Sequence, residues 1–259
     1  MAQSRQRRST PMSPLSSAFL RVALLLGFVS LSGSHAIASE AAGPGSSSPA
    51  VAAGLPPLPA PLGVPTPAAE TSAPYSPQPI LPGGVVIPLY PPNSPYLKPD
   101  RVHEAEVYSM GAPGEIAYII HIHNPSIEFH PGNGSLNTGV AVVLAAGGGH
   151  NTLNVGGEGA DFVHFFANHG VNTVILRNRL RSDGYEPKTD GVNDALQAIK
   201  LVRAHAKEWK LDPNKIGIMG FSAGAELAAA TTLVWPEFDQ KNDMPANPLA
   251  KTSSRPDFA

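Results

Sequence analysis

The chain has no cysteine among its 259 residues, few charges and no excess of basic residues. The lack of cysteine excludes disulfide bonds, thiolate zinc sites and cysteine nucleophiles. Charged residues make up 15% of the chain and the net charge is −2, so no basic surface is available to neutralise phosphates. We therefore expect no nucleic-acid partner.

The sequence also lacks a hydrophobic run that could span a membrane. Its N-terminal apolar run, residues 22–31, is far shorter than the roughly 20 residues that a helix needs to cross a bilayer. Arginines precede this run, and an Ala-Ile-Ala cleavage signal follows it at residues 36–38. We therefore expect residues 1–38 to be an export signal, with an uncleaved N-terminal anchor as the alternative, and the protein to be secreted or periplasmic.

Proline is unevenly distributed, since 17 of the 28 prolines lie between residues 41 and 100. Proline removes a backbone donor and fixes φ, and this stretch is otherwise rich in Ala, Gly and Ser. We therefore expect residues 39–95 to form an extended, disordered linker and residues 96–259 to form the folded domain.

Regular hydrophobic patterns follow the proline-rich region. Continuous apolar runs at residues 139–146, 171–176 and 215–220 are typical of strands that are covered on both faces. Helical spacing follows them, at residues 162–166, 190–206 and 223–234. This alternation predicts an α/β fold with a mostly parallel sheet, right-handed crossovers and helices on both faces.

The middle helix is predicted to be amphipathic. Its apolar stripe consists of Val192, Ala195, Leu196, Ile199, Val202 and Ala206. Its predicted polar side consists of Asn193, Gln197, Lys200, Arg203, Lys207 and Glu208. We expect Asp194 and Arg203 to form ion pairs on the surface of this helix.

The third apolar run leads into the motif Gly220-Phe221-Ser222-Ala223-Gly224. A turn this tight between a strand and a helix crowds the neighbours of the serine, which requires glycine at both ends. The turn would expose the Ser222 hydroxyl and direct the N–H of Ala223 at the same space, beside the positive end of the helix. The motif predicts a nucleophilic serine, and a packing turn of small residues is the alternative.

Three successive glycines follow the first apolar run, in the stretch AAGGGH. Bare backbone N–H groups can approach a ligand closely there, and acyl transfer needs donors aimed at a developing oxyanion. We expect Gly148 and Gly149 to complete an oxyanion hole with Ala223. A phosphate cradle is disfavoured because neither GxGxxG nor GxxxxGK[ST] can be written through these residues.

These residues resemble the α/β-hydrolase superfamily, and within it the secreted carbohydrate esterases related to acetylxylan and feruloyl esterases, some of which carry a xylanase label. The resemblance rests on VAVVLAAGGGH, on DALQAIKLVRAHAKEWKLDPNKIGIMGFSAGAELAA and on SSRPDFA. It implies that Ser222 is the nucleophile, that Ala223, Gly148 and Gly149 form the oxyanion hole, and that Arg179 is a structural arginine. The family commonly has Pro before the glycines and Tyr after them, where this chain has Ala and His.

Other polar residues are weaker candidates. His150, beside the glycine loop, could contact substrate. His121 and His123 share a face of a predicted strand and could bind a metal, but no third ligand is evident, so we expect exposed edge-strand histidines and no metal or other cofactor. Glu226 lies one helical turn after the nucleophile, and we expect it to be solvated or to act indirectly.

All nine histidines precede Ser222, whereas the triad of this fold runs Ser, then Asp or Glu, then His. Residues 256–259 look like the start of another buried strand, and the expected domain is shorter than a complete sheet of this class. We therefore expect an incomplete α/β-hydrolase domain that ends before its last strands, lacks the triad Asp and His, and is inactive alone.

The sequence thus predicts a secreted serine hydrolase that cleaves carboxylic esters and deacetylates or deferuloylates a plant-type polysaccharide such as xylan. Two alternatives stay open. One is a non-catalytic secreted binding protein on the same scaffold, and the other is a serine peptidase of the same fold.

Overall fold

The computed structural model describes residues 73–112, 114–243 and 247–259. The export signal expected at residues 1–38 and the first part of the expected linker, residues 39–72, lie outside these described residues. Within the described ranges, no helix is both long and apolar enough to cross a membrane.

The described chain begins with strands, and strands alternate with helices in its second part. In order they are β1 (Val85–Pro88), β2 (Val107–Met110), β3 (Ile116–Ile120), β4 (Ser126–His130), β5 (Ala141–Ala145), α1 (Asp161–Asn168), β6 (Asn172–Arg177), α2 (Val192–Ala204), β7 (Ile216–Gly220) and α3 (Ala223–Lys241). Single π-helical turns precede α1 and α2, at Gly156–Ala160 and Pro187–Gly191. The last helix continues through Pro236, beyond its predicted end near residue 234.

Five strands form one mixed sheet in the order β1-β4-β6-β5-β7. Strand β5 lies between β6 and β7 and is parallel to both. Strands β1 and β4 extend the sheet with antiparallel pairing, and β2 and β3 form a separate hairpin. The predicted fold class is confirmed, because the central strands are parallel and are connected through helices.

Helices cover both faces of the sheet, as the buried residues of β6 illustrate. Successive strand residues point to opposite faces. Leu176 belongs to the same apolar cluster as Ile199 of α2, whereas Ile175 belongs to a second cluster with Val163 of α1 and the β2-β3 hairpin. A strand covered in this way must be apolar on both sides, which explains its continuous hydrophobic sequence.

Helix α2 has its predicted apolar stripe buried, but the predicted polar side is fully exposed only at Lys207 and Glu208, just beyond the helix. Gln197 and Lys200 are buried, because Gln197 donates to the carbonyl of Leu89 at 3.0 Å and the Lys200 ammonium lies 3.2 Å from Asp239 on α3. Asp194, expected on the helix surface, is completely buried. The helix therefore packs between the sheet and further chain segments.

The expectation of a disordered linker is wrong for residues 73–95. Tyr75, Ile80, Leu89 and Tyr90 are buried, and β1 pairs with β4. Asn124 donates to the Tyr75 carbonyl at 2.7 Å, which is one of several bonds between this segment and the domain. High proline content indicates few regular backbone hydrogen bonds, and such a segment can still be ordered when its remaining polar groups find partners.

Residues 256–259 lie beside β7, as expected for a further strand, but they form no regular strand. The N–H of Asp257 donates to the Ile216 carbonyl at 2.8 Å, and that of Ile218 donates to the Phe258 carbonyl at 3.0 Å. Arg203, expected to pair on the surface of α2, instead pairs with Asp257 at 2.8 Å and so fixes this segment.

A buried ionic network attaches the segment before β1 to the sheet. Arg177, at the end of β6, pairs with Glu106 at 2.9 Å and with Glu128 at 2.6 Å. Glu128 also accepts from the backbone N–H groups of Ile80 and Leu81. Burial raises the pKa of Glu106. Burial alone would also raise the pKa of Glu128. The hydrogen bond with His130 and the charge of Arg177 instead lower this pKa below its ordinary value.

Replacing Glu128 by alanine should destabilise the fold strongly, because Arg177 would lose a buried partner and two backbone donors would lose their acceptor. We expect a loss of about 3–5 kcal/mol in the free energy of unfolding, measured by urea denaturation. Glu237→Ala is the control, since Glu237 is exposed and, among the described residues, pairs only with Lys241 at 3.4 Å. It should change stability by less than about 0.5 kcal/mol. Equal losses in the two variants would contradict the importance of the network.

Candidate active site

Ser222 lies in a strained turn between β7 and α3. Its backbone has φ +50° and ψ −116°, a conformation that residues other than glycine rarely adopt. The N–H of Gly224 donates to the Phe221 carbonyl at 2.7 Å and closes the turn. Such strain persists only where the surrounding structure enforces it.

Steric crowding explains why the motif has glycine at both ends. A Cβ atom on Gly220 would overlap the carbonyl oxygen of Gly224, and one on Gly224 would overlap the carbonyl oxygen of Ala145 at the end of β5. Both obstacles are backbone atoms of packed elements, so neither can move aside easily. The turn therefore requires glycine at both positions, as the sequence predicts.

The glycine loop lies against the serine. A Cβ atom on Gly147 would be 3.1 Å from the Cβ of Ser222. The Gly147 N–H is already used, because it donates to the Glu158 carboxylate at 2.6 Å. Within residues 114–243 the N–H groups of Gly148 and Gly149 donate to no acceptor. The two glycines predicted to bind an oxyanion are thus the ones with available donors, and the sequence analysis missed Glu158.

Ala223 begins α3, directly after Ser222. The first N–H groups of a helix have no intrahelical acceptor, and the helix dipole places partial positive charge at this end. Its N–H can therefore serve an anionic oxygen. Its role, and those of the two glycines, stay predictions.

His150 and Glu226 form a pair beside this site. The Nε2 atom of His150 lies 3.0 Å from the Glu226 carboxylate, and the His150 side chain is 8% exposed whereas that of Glu226 is 74% exposed. The hydrogen bond from His150, followed by its charge, lowers the pKa of Glu226. Sequence reasoning placed both residues near the nucleophile but did not foresee that they bond to each other.

No described histidine bonds to Ser222. The hydrogen bonds of the histidine rings go instead to Tyr185, Glu128, Glu226, the Phe165 carbonyl and Glu208. Within the described residues the predicted nucleophile therefore has no bonded histidine base, and the role of Ser222 stays a prediction.

The expectation of exposed edge-strand histidines is wrong for His123. Both His121 and His123 follow the end of β3, and His123 is buried with its Nδ1 atom 2.9 Å from the Tyr185 hydroxyl. His121 is exposed, with φ +60°. Among the described residues, no three His, Asp or Glu side chains are grouped closely enough to hold a metal ion.

Arg179 has the structural position that the resemblance implies. It is buried, pairs with Asp194 of α2 at 2.7 Å and donates to the Tyr96 carbonyl at 2.6 Å. The Tyr90 hydroxyl also donates to Asp194, at 3.0 Å. This cluster joins the carboxyl end of β6 to α2 and to the segment after β1.

Gly224→Ala should prevent the turn from forming, because the new methyl group would meet the end of β5. We expect a loss of about 3 kcal/mol or more in the free energy of unfolding, together with loss of any Ser222 reactivity. Gly157→Ala is the matched control, because a Cβ atom there meets nothing within 4 Å, and it should leave both properties unchanged. Wild-type stability in the Gly224 variant would contradict the close packing of the turn.

The folded part of the chain is similar to known proteins. Residues 129–254 match the family model described as BD-FAE. An acetylxylan esterase of Xylanibacter ruminicola is 34% identical over 99 residues, which cover 38% of this chain and 20% of that protein. The solved structure of the acetyl ester-xyloside bifunctional hydrolase from Caldicellulosiruptor lactoaceticus has 26% identity and a TM-score of 0.52, covering 69% of this chain and 56% of the other.

The chain thus spans a fifth of the length of the curated relative and just over half of the structural one. The matched region contains β5, β6, β7 and the helices between them, together with the glycine loop and the Ser222 turn. Residues 129–254 are therefore similar to the BD-FAE family, and the two relatives named above are carbohydrate esterases.

Proposed function

We propose that the protein is a secreted serine esterase that removes acetyl or feruloyl groups from a plant-type polysaccharide such as xylan. The observation that carries the proposal is the strained Ser222 backbone, which lies between the N-terminus of α3 and the glycine loop. Strain at a turn of this kind is typical of a nucleophile that must be exposed at the carboxyl edge of a sheet.

In the proposed reaction a base takes the proton of the Ser222 hydroxyl while its oxygen attacks the ester carbonyl, and the carbonyl oxygen becomes negatively charged. The N–H groups of Gly148, Gly149 and Ala223 stabilise this charge, which is the largest single contribution in many acyl transfers. The base then gives its proton to the alcohol, which leaves, and the acyl group stays on Ser222 until water, deprotonated by the same base, releases it as the free acid and restores the serine hydroxyl.

The substrate class is supported by what the relatives are called. One relative is named an acetylxylan esterase, and the other an acetyl ester-xyloside hydrolase. The small net charge of −2 agrees with an uncharged polysaccharide ester as substrate.

A serine without an adjacent base stays protonated at neutral pH, so we expect the chain by itself to hydrolyse p-nitrophenyl acetate far more slowly than an ordinary esterase. The oxyanion donors alone would leave about 10³–10⁴-fold catalysis over water. Added imidazole should supply the missing base and increase turnover in a manner that depends on Ser222. The measurement is nitrophenolate release with and without imidazole.

The control is Ser222→Ala, whose rate with imidazole reports the reaction of imidazole with the ester alone. Identical rates for this variant and the wild type would reject Ser222 as the nucleophile. Fast, Ser222-dependent turnover without imidazole would instead show that a base is present in the chain. The choice of substrate is tested separately, by following acetate release from acetylated xylo-oligosaccharides.

Export is a further part of the proposal. The apolar run and the Ala-Ile-Ala signal should direct cleavage after Ala38, so that the exported protein begins at Ser39. N-terminal sequencing of secreted material checks this expectation. Exported protein that retains Met1 would favour an N-terminal anchor instead.

A further inference from the structure

One side-chain hydrogen bond joins the two elements that carry the proposed oxyanion donors. Gly148 and Gly149 belong to the loop after β5, whereas Ala223 belongs to α3. His150, at the end of the glycine run, bonds to Glu226 in the first turn of α3 at 3.0 Å. Within residues 114–243 no other side-chain hydrogen bond connects the loop at residues 147–155 to that helix.

The His150 backbone is held in an unusual conformation. Its φ is +61°, in the left-handed region, and its carbonyl accepts from the N–H of Arg181 at 2.8 Å. The backbone is thus fixed by the segment after β6 while the ring is fixed by α3. Residues in this region are retained where their surroundings determine them from several sides.

Glu226 lies on the same face of α3 as Ser222, because it follows Ser222 by four residues, which is about one helical turn. Its carboxylate is 74% exposed, so the side chain contributes little to the apolar core. The hydrogen bond from His150 is the largest of the effects that lower the pKa of Glu226. The charges of His150, Arg181 and Lys188 act in the same direction. The carboxylate is therefore available as an anionic acceptor for the ring.

A run of three glycines needs external support to hold a fixed shape, because glycine has the greatest backbone freedom of any residue. The start of the run is supported by Glu158, which accepts from Gly147. The middle is supported by the Gly148 carbonyl, which accepts from the N–H of Asn151 at 3.0 Å. At its far end the run is supported by the His150 ring.

We propose that His150 and Glu226 are a positioning pair that sets the loop donors, Gly148 and Gly149, at the correct distance from the Ala223 donor. An oxyanion hole requires each donor to lie about 2.7–3.1 Å from one oxygen, and here the donors come from two separate elements. The inference rests on the proposed function of Ser222, and it assigns the pair a positioning role that acts through the loop donors.

The test compares Glu226→Ala and Glu226→Gln with the control Glu237→Ala. Glu237 lies on the same helix, is exposed and pairs with Lys241 at 3.4 Å, away from the loop. Ser222-dependent hydrolysis of p-nitrophenyl acetate is measured with imidazole present. We expect Glu226→Ala to lower kcat about 10- to 100-fold with little change in KM, because a small misplacement of catalytic groups costs on the order of 10²-fold.

Glu226→Gln should recover part of the lost rate, because the amide can still bond to the ring without the charge. The control Glu237→Ala should keep the wild-type rate. Hydrogen exchange of the bonded amides of the loop, those of Gly147, Asn151 and Thr152, provides a readout that does not depend on catalysis. Exchange should be faster in Glu226→Ala and unchanged in Glu237→Ala.

The outcomes separate the two proposals. Wild-type kcat in Glu226→Ala, with Ser222 still required, overturns the positioning role and leaves the proposed function intact. Unchanged hydrogen exchange at Gly147, Asn151 and Thr152 in Glu226→Ala also overturns it. If no chain shows Ser222-dependent turnover, the proposed function fails, and the exchange measurement alone then decides whether the pair holds the loop.

Discussion

The close approach of the Ser222 turn to the end of β5 is the constraint on which the remaining structure depends. The N–H of Phe221 donates to the Ala145 carbonyl at 3.1 Å, and the same carbonyl leaves no space for a side chain at Gly224. Because β5 has parallel neighbours on both sides, its end cannot move without disturbing β6 and β7. The glycine loop that leaves β5 and the N-terminus of α3 are therefore brought to one point.

Strand β6 contributes to the site without supplying a catalytic residue. Arg177 at its end attaches the segment before β1, and Arg179 just beyond it attaches α2. The chain that follows then supports the glycine loop, since the N–H of Arg181 donates to the His150 carbonyl and the Ser182 hydroxyl donates to that of Asn151 at 2.9 Å. Buried charges are costly unless they are paired, so this strand end is a rigid support.

Much of the fold and of the candidate site could be predicted because the relevant signals are local. The apolar runs of β5, β6 and β7 and the spacing of α2 reflect burial of neighbouring residues, and the two glycines around Ser222 reflect crowding within five residues. The expectation of a disordered linker was wrong for residues 73–95. Their proline-rich composition indicates few regular backbone hydrogen bonds, but it does not indicate whether the segment packs against the domain. Lys200 was predicted on the polar side of α2 but is buried, because α3 covers it. The helical periodicity of α2 carries no information about this contact with another helix.

The sequence by itself determined the alternation of strands and helices, the turn that exposes Ser222 and the loop able to supply backbone donors. Only the tertiary structure decided which side chains meet around them. His150 and Glu226 are 76 positions apart, and Arg177 and Glu106 are 71 apart. Such pairs depend on how whole elements pack against one another, and a polar side chain carries no local signal of a partner so distant in sequence.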